Sequence, residues 1–351
     1  MIAGRPYRIS IVGASSLAGK ELADCVADSA LFASDVVLLD EDVAGQLTSA
    51  GDEVAFIQKI DSDSFAGMDF VFFADDPAAT RKYWKTARSA GASIVDMTYA
   101  LERESGVVVR GPWACPVTEG VSAGRAQEPD LTTPAVVSAH PAAVMLLLIA
   151  KRLHAKFPVQ SLSATVFEPA SEHGRAAMDE LHQQTVSLLS FQSLPREQYD
   201  AQVAFNLLPS LGEAAKVNLA AVKNHIAEHY AALAPGNAPE LTLQLVQAPL
   251  FHGYSASVLI ALQGSATVEQ VELAMYGEHV DVVGVESDPP SNLSAAGQSD
   301  ILVRVSSGSV SNALSSRLWL WLAADNLKLA ALNAIACANE LRRLRPQGKV
   351  Q

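Results

Sequence analysis

The residues of this chain that could do covalent chemistry are few, and their placement narrows the reactions open to it. Three cysteines, Cys25, Cys115 and Cys337, stand far apart. Their odd number and wide spacing fit neither a disulfide framework nor a zinc-ligand pattern. Each has neighbours that suit packing: the apolar side of a first helix, a WACP segment, and small residues in a last helix. Between Cys115 and Cys337 there is no thiol, so no thiolate nucleophile can come from the middle of the chain. His225 and His229 have the i, i+4 spacing of a metal-binding pair, but beside Lys223 and Glu228 they read as a solvated helix face.

A second constellation is non-covalent. Gly13-Ala14-Ser15-Ser16-Leu17-Ala18-Gly19 follows an apolar strand and opens a helix, the setting in which a glycine turn brings backbone N–H groups against a pyrophosphate. Ser16 stands at the middle glycine of that fingerprint, and its Cβ narrows the phosphate space. Asp40 lies about twenty residues past Gly19, where a carboxylate can accept both ribose hydroxyls of a dinucleotide. Asp40, Glu41 and Asp42 together would repel a 2′-phosphate, which favours NAD and disfavours NADP. The same residues also suit a plain tight β-α turn followed by an acidic loop.

The elements that would position these groups begin with a strand at Arg8 to Val12, a helix from Lys20 to Ala30 and a strand at Val36 to Leu39. Alternation continues through a strand at Phe70 to Phe73, a helix from about Pro77 to Ala90 and a strand at Ser93 to Val95, which implies a doubly wound parallel sheet. Beyond about residue 158 longer strands appear at Leu162 to Phe167, Leu241 to Ala248, Ser255 to Leu262 and Ile301 to Val305. Helices are expected at Arg175 to Leu189, Ala214 to Ala232 and Asn326 to Arg343, the last closing on Arg342, Arg343 and Arg345. Trp319 and Trp321 alternate in RLWLWLA with the period of a strand whose one face meets a partner or the core.

With 351 residues, two domains are expected, and 49% apolar against 18% charged residues describes a folded globular chain. A net charge of -13 opposes binding to nucleic acid or to an anionic lipid surface. The longest apolar run, Ala142 to Ala150, is about half of a bilayer span, and Met1 to Tyr7 is short and polar with no secretory pattern. A reducing, cytoplasmic compartment is the expectation.

Five segments in register then resemble one family. The glycine turn, SIVDMTYAL, VAFNLLP, VQAPLFHGYS and LAADNLKLAALNA follow the order of the aspartate-semialdehyde dehydrogenases, and the likeness runs from Ile9 to about Leu344. The chain is most similar to the family's Usg-type side branch, which also has Gln-Ala-Pro where active enzymes have Arg-Val-Pro. The resemblance implies an α/β fold: a Rossmann domain from residues 1–137 and 325–351, completed by the C-terminal helix, and an α+β domain from 138–324 that forms a homodimer. Its cofactor-binding candidates are Gly13, Ser15, Ser16, Gly19, Asp40 and Asn326.

For chemistry the resemblance implies loss. Family members attack an aldehyde with a cysteine, pass hydride to NADP and release the acyl group to phosphate. The nucleophile position falls on Pro141, within His140-Pro141-Ala142-Ala143, and neighbouring registers offer alanine. The substrate glutamine becomes Glu168, the substrate arginine Gln247 and the acid-base histidine Tyr254; phosphate and 2′-phosphate arginines align with Glu102 and Asp42. An anionic substrate would lose an arginine hydrogen bond worth about 1.5–3 kcal/mol and meet Glu168 instead. The family reaction is therefore expected to be absent, leaving a dimeric dinucleotide-binding module or a pairing protein for another chain. The alternative is an NAD-dependent oxidoreductase for a neutral or cationic substrate, using the His140, Glu168 and His173 neighbourhood; His252 also maps near the former cleft, and no two of the four show metal-binding spacing.

Overall fold

The computed structural model describes residues 7–29, 31, 35–41, 45, 47–50, 53–61, 63–116, 127–236, 238–308 and 314–344. Asp42 and Arg345 lie outside the described residues. The chain divides into two units, Met1–His140 with Ala330–Gln351, and Pro141–Leu329. In chain order the first holds β1 (Arg8–Val12), α1 (Leu17–Ala27), β2 (Asp35–Asp40), β3 (Leu47–Ala50), β4 (Glu53–Lys59), β5 (Phe70–Phe73), α2 (Pro77–Ser89), β6 (Ser93–Asp96), β7 (Val108–Arg110) and β8 (Val136–Ser138). The second holds α3 (Pro141–His154), β9 (Val159–Glu168), α4 (Gly174–Leu189), α5 (Leu219–Leu233), β10 (Glu240–Gln247), β11 (Tyr254–Ala266), α6 (Val268–Met275), β12 (Val280–Val282), α7 (Asn292–Ala295), β13 (Ile301–Ser307) and β14 (Ser315–Ala324). Helix α8 (Asn326–Leu344) starts in the second unit and returns to the first.

In the first unit the described strands run β3-β4-β2-β1-β5-β6-β8-β7, with only the β3-β4 pair antiparallel. Strand β5 shows why a parallel sheet forms: FVFF is apolar throughout, and its alternate side chains enter two different cores. Phe70 and Phe72 join Ile9, Ile11, Leu22 and the α8 residues Ala334 and Ala338. Val71 and Phe73 join Val12, Ile94 and the α2 residues Trp84 and Ala87. Helix α1 begins three residues earlier than its apolar pattern predicts, because Ser16 caps it, and it stops at Ala27. On α8, Glu340 makes a two-pronged buried ion pair with Arg110 of β7, at 2.8 and 2.7 Å, and Asn333 donates to the Ser138 hydroxyl at 2.8 Å.

The second unit is a mixed sheet, β10-β9-β11-β14-β13-β12, with parallel pairs at both ends and antiparallel ones between. The apolar run from Ala142 to Ala150 is a buried core helix, α3, packed against β9, α5 and α6. No helix among the described residues is long and apolar enough to cross a membrane. Helix α5 starts at Leu219, five residues later than predicted, because the segment before it is tied elsewhere: Asp200 accepts from Ala214 N, and Asn218 provides the cap. In β14, Leu318, Leu320 and Leu322 are buried while Trp319 and Trp321 remain 43% and 37% exposed, so the tryptophans lie on the outer face of this sheet.

Candidate functional site

Order in the first sheet reverses at β1, with β2 on one side and β5 on the other, and ligands of open α/β sheets bind at the carboxyl ends of strands at that reversal. The glycine turn sits there. Gly13 has φ +83°, and a Cβ on it would lie 2.5 Å from Asp75 Cβ; one on Gly19 would collide with the Gly13 carbonyl. Both glycines are therefore required by the turn itself. Ser16 donates to the Gly13 carbonyl at 2.8 Å and accepts from Gly19 N at 2.9 Å, so its hydroxyl takes one of the helix N–H groups that a phosphate could use. The Ser15 hydroxyl donates to Asp40 at 2.6 Å, tying the ribose-position carboxylate to the turn.

A crevice beside this turn is lined by Gly13, Asp40, Glu41, Asp75, Asp76 and Thr80 among others. Glu41 is paired with Lys82 and bonded by the Tyr83 hydroxyl at 2.6 Å, which holds its carboxyl below the usual range. Of the three acids expected to repel a 2′-phosphate, one is thus neutralised by a lysine and another, Asp42, is not described. Asp75 was not anticipated from the sequence. Burial first, then the charges of Asp40 and Asp76, raise its carboxyl above the ordinary value. Asp76 caps α2 through Ala78 and Ala79 N–H groups, with Pro77 at the first helical position. "Asp-Pro" after a strand is legible as a helix start; that both acids flank the crevice needs the sheet order.

The second unit gathers its polar residues at the carboxyl end of β9. Glu168 is 0% exposed, and its Oε2 lies 3.0 Å from His173 Nε2, with His173 itself 11% exposed. Glu168 Oε1 is buried and has no hydrogen-bond partner among the described residues. Gln247 donates its amide to the Glu168 and Ala248 carbonyls at 3.1 and 3.2 Å. Glu172 accepts from Asn326 at 3.1 Å and interacts with Tyr254; burial, then the charge of Glu168, raises its carboxyl. For His173 burial works against the cation, but Glu168 and Glu172 outweigh it, so its pKa stands above the ordinary value. The Asn326 amide oxygen also accepts from Ser171 at 3.1 Å and Gly253 N at 3.0 Å. Asn326, assigned to cofactor by resemblance, thus has its polar atoms engaged within this cluster.

Among the histidines, His173 pairs with Glu168 at 3.0 Å. His140 ends the first unit, stacked on Tyr99 at 5.7 Å, where Tyr99 is held at φ 62°. His252 accepts at its carbonyl from Asn292. His225 and His229 stack at 6.0 Å on α5, His229 buried. Among the described residues no three His, Cys, Asp or Glu side chains are arranged to hold a metal.

Residues 8–138 match the family described as semialdehyde dehydrogenase, NAD binding domain, and residues 150–329 match semialdehyde dehydrogenase, dimerisation domain. The chain belongs to the semialdehyde dehydrogenase family. It is 29% identical over 340 residues to a USG-1 protein homolog of Pseudomonas aeruginosa, covering 94% of this chain and 96% of that one. A solved probable aspartate-semialdehyde dehydrogenase from Pseudomonas aeruginosa is similar at TM-score 0.80 and 27% identity, over 97% of this chain and 99% of that one. Aspartate semialdehyde dehydrogenase II of Vibrio cholerae, solved with ASA, shares the fold at TM-score 0.83 and 19% identity, over the same shares.

In this member of the semialdehyde dehydrogenase family all three cysteines are buried in the first unit, in α1, after β7 and in α8. Burial pushes the Cys337 thiol far up, so it is a poor source of thiolate. The position read as the family nucleophile, Pro141, is the first residue of α3, followed by Ala142 and Ala143, all buried. Proline suits that place because it has no N–H to leave unbonded there.

Proposed function

We propose that this chain is a homodimeric, NAD-binding member of the semialdehyde dehydrogenase family that does not carry out the acylating reaction. The observation that carries the reading is the start of α3, Pro141-Ala142-Ala143, in a unit whose residues 141–329 contain no cysteine. Without a thiol there is no thioester for phosphate to cleave. Gln247 and Glu168 support it, since neither would pair with a substrate carboxylate. Asp40 at the end of β2 supports NAD over NADP. The exposed Trp319 and Trp321 of the dimerisation domain support self-association.

Incubation with aspartate semialdehyde, phosphate and NAD or NADP should give no phosphate-dependent reduction, and intact-mass analysis should find no acyl adduct. A thioester on Cys115 or Cys337 would overturn the reading. Calorimetric titration with the four nicotinamide dinucleotides should give tighter binding of NAD than NADP, and the reverse order would remove the cofactor assignment.

A second reading is favoured by the Glu168–His173 pair. A buried carboxylate behind an imidazole is an acid-base arrangement, and an NAD-dependent oxidation of a non-anionic substrate could use it. Turnover of neutral or cationic aldehydes with NAD, lost in His173→Ala, would support it; a panel without turnover would end it.

A further inference from the structure

We propose that Glu41 is a cofactor-specificity residue that acts through Lys82, withholding the lysine ammonium from the 2′-phosphate of NADP. The inference rests on the reading that the crevice beside the glycine turn takes a dinucleotide, and it names the residues that choose between the two kinds. Asp40 ends β2, where a carboxylate meets the ribose hydroxyls, and Glu41 follows it directly and lines the same crevice. A group bonded to Glu41 therefore stands near the ribose position. That group is the ammonium of Lys82 on α2, which is paired with Glu41 Oε1 and whose pKa that bond raises above the ordinary value. The same oxygen accepts from the Tyr83 hydroxyl at 2.6 Å. Two donors suited to a phosphate are thus occupied by a carboxylate of the protein itself.

Loss of the Glu41 carboxylate leaves other contacts to hold these donors. The Lys82 ammonium lies 4.7 Å from the centroid of the Tyr83 ring, within cation–π range, and that ring is 6.3 Å from the ring of the fully buried Phe65. The Lys82 side chain is 60% exposed, so a phosphate can approach it from solvent. Asp40 is untouched by the change: its carboxylate still accepts from the Ser15 hydroxyl at 2.6 Å and still disfavours a 2′-phosphate. Removing Glu41 is therefore expected to improve NADP relative to NAD without reversing the order.

Calorimetric titration of the full-length protein with NAD and NADP, repeated for Glu41→Ala, Lys82→Met and the two substitutions together, separates this device from a plain change of net charge. Glu41→Ala should shift the ratio of NADP to NAD affinity toward NADP by about three- to fivefold, the range of an exposed ion pair. In the presence of Lys82→Met, Glu41→Ala should shift that ratio by less than about twofold, because no ammonium is released. An equal shift with and without Lys82 would mean that charge alone acts, and no shift in Glu41→Ala would mean that Lys82 does not reach the phosphate; either result overturns the proposal. In both cases NAD still binds and the dinucleotide reading survives. If neither dinucleotide binds the unaltered protein or Glu41→Ala, the reading and the proposal fall together.

Discussion

Glu172, His173 and Asp75 all bind protons more tightly in the folded chain than their ordinary values, Glu172 and Asp75 because burial opposes their anions, His173 because Glu168 and Glu172 hold its cation. The three shifts act in one direction. A raised carboxyl or a raised imidazole contributes stability that is present in full below its ordinary value and is lost as pH rises through the folded value. For Glu172 the loss starts above the ordinary glutamate value of 4.5, and for His173 above the ordinary histidine value of 6.5. Stability from chemical denaturation should therefore fall as pH rises above 4.5 and again above 6.5, and Glu172→Gln should lessen that fall while being no less stable at the higher pH. An unchanged slope in the glutamine variant would contradict this account of the cluster. Asp75→Asn tests the other unit: removing an acid beside the glycine turn should tighten NAD binding at neutral pH, and calorimetry that shows no gain would mean Asp75 does not face the dinucleotide.

At the level of elements, the β1–α1 turn was legible because its glycines are required by close approach. Gly13→Ala must adopt a left-handed φ and press on Asp75, a cost of about 1–3 kcal/mol before any clash is counted, so its thermal midpoint should fall by several degrees. What the turn's sequence did not reveal is how its hydroxyls are used. Ser16 reads as a substitution that narrows a phosphate site, yet it is also the cap of α1, and Ser15 holds Asp40. Propensity could not place the start of α5 either, since Ala214 is drawn to Asp200 by a tertiary bond. The pairing of β7 with α8 was likewise invisible, because Arg110 and Glu340 are 230 residues apart. Glu340→Ala would leave a buried guanidinium without its partner and should cost about 3–5 kcal/mol, whereas replacing both by apolar residues should cost much less. Urea denaturation of the single and double variants separates the two cases.

Across the whole chain, the fold class followed from two periodicities, apolar runs with intervening helices before residue 140 and alternating strands after 158. The site followed less well, because its meaning lies in contacts between segments distant in sequence: Gln247 reaches the Glu168 backbone, and Asn326 reaches Glu172. The outer face of the second sheet was half legible, since RLWLWLA fixes the alternation but not which side meets solvent. With leucines inward, Trp319 stands opposite Leu259 of β11 and Ser306 of β13, while Trp321 packs against Phe167 at 6.1 Å and donates to the Pro290 carbonyl at 2.9 Å. Trp321 is thus tied to Phe167 and Pro290 of its own unit, whereas Trp319 stands between Leu259 and Ser306. A charge at Trp319 should disrupt an isologous interface twice, once per copy, with little effect on the fold of either. Trp319→Glu should therefore shift sedimentation from dimer to monomer at micromolar concentration while leaving the circular dichroism spectrum unchanged. If the variant remains a dimer, the second copy docks on another face of this domain.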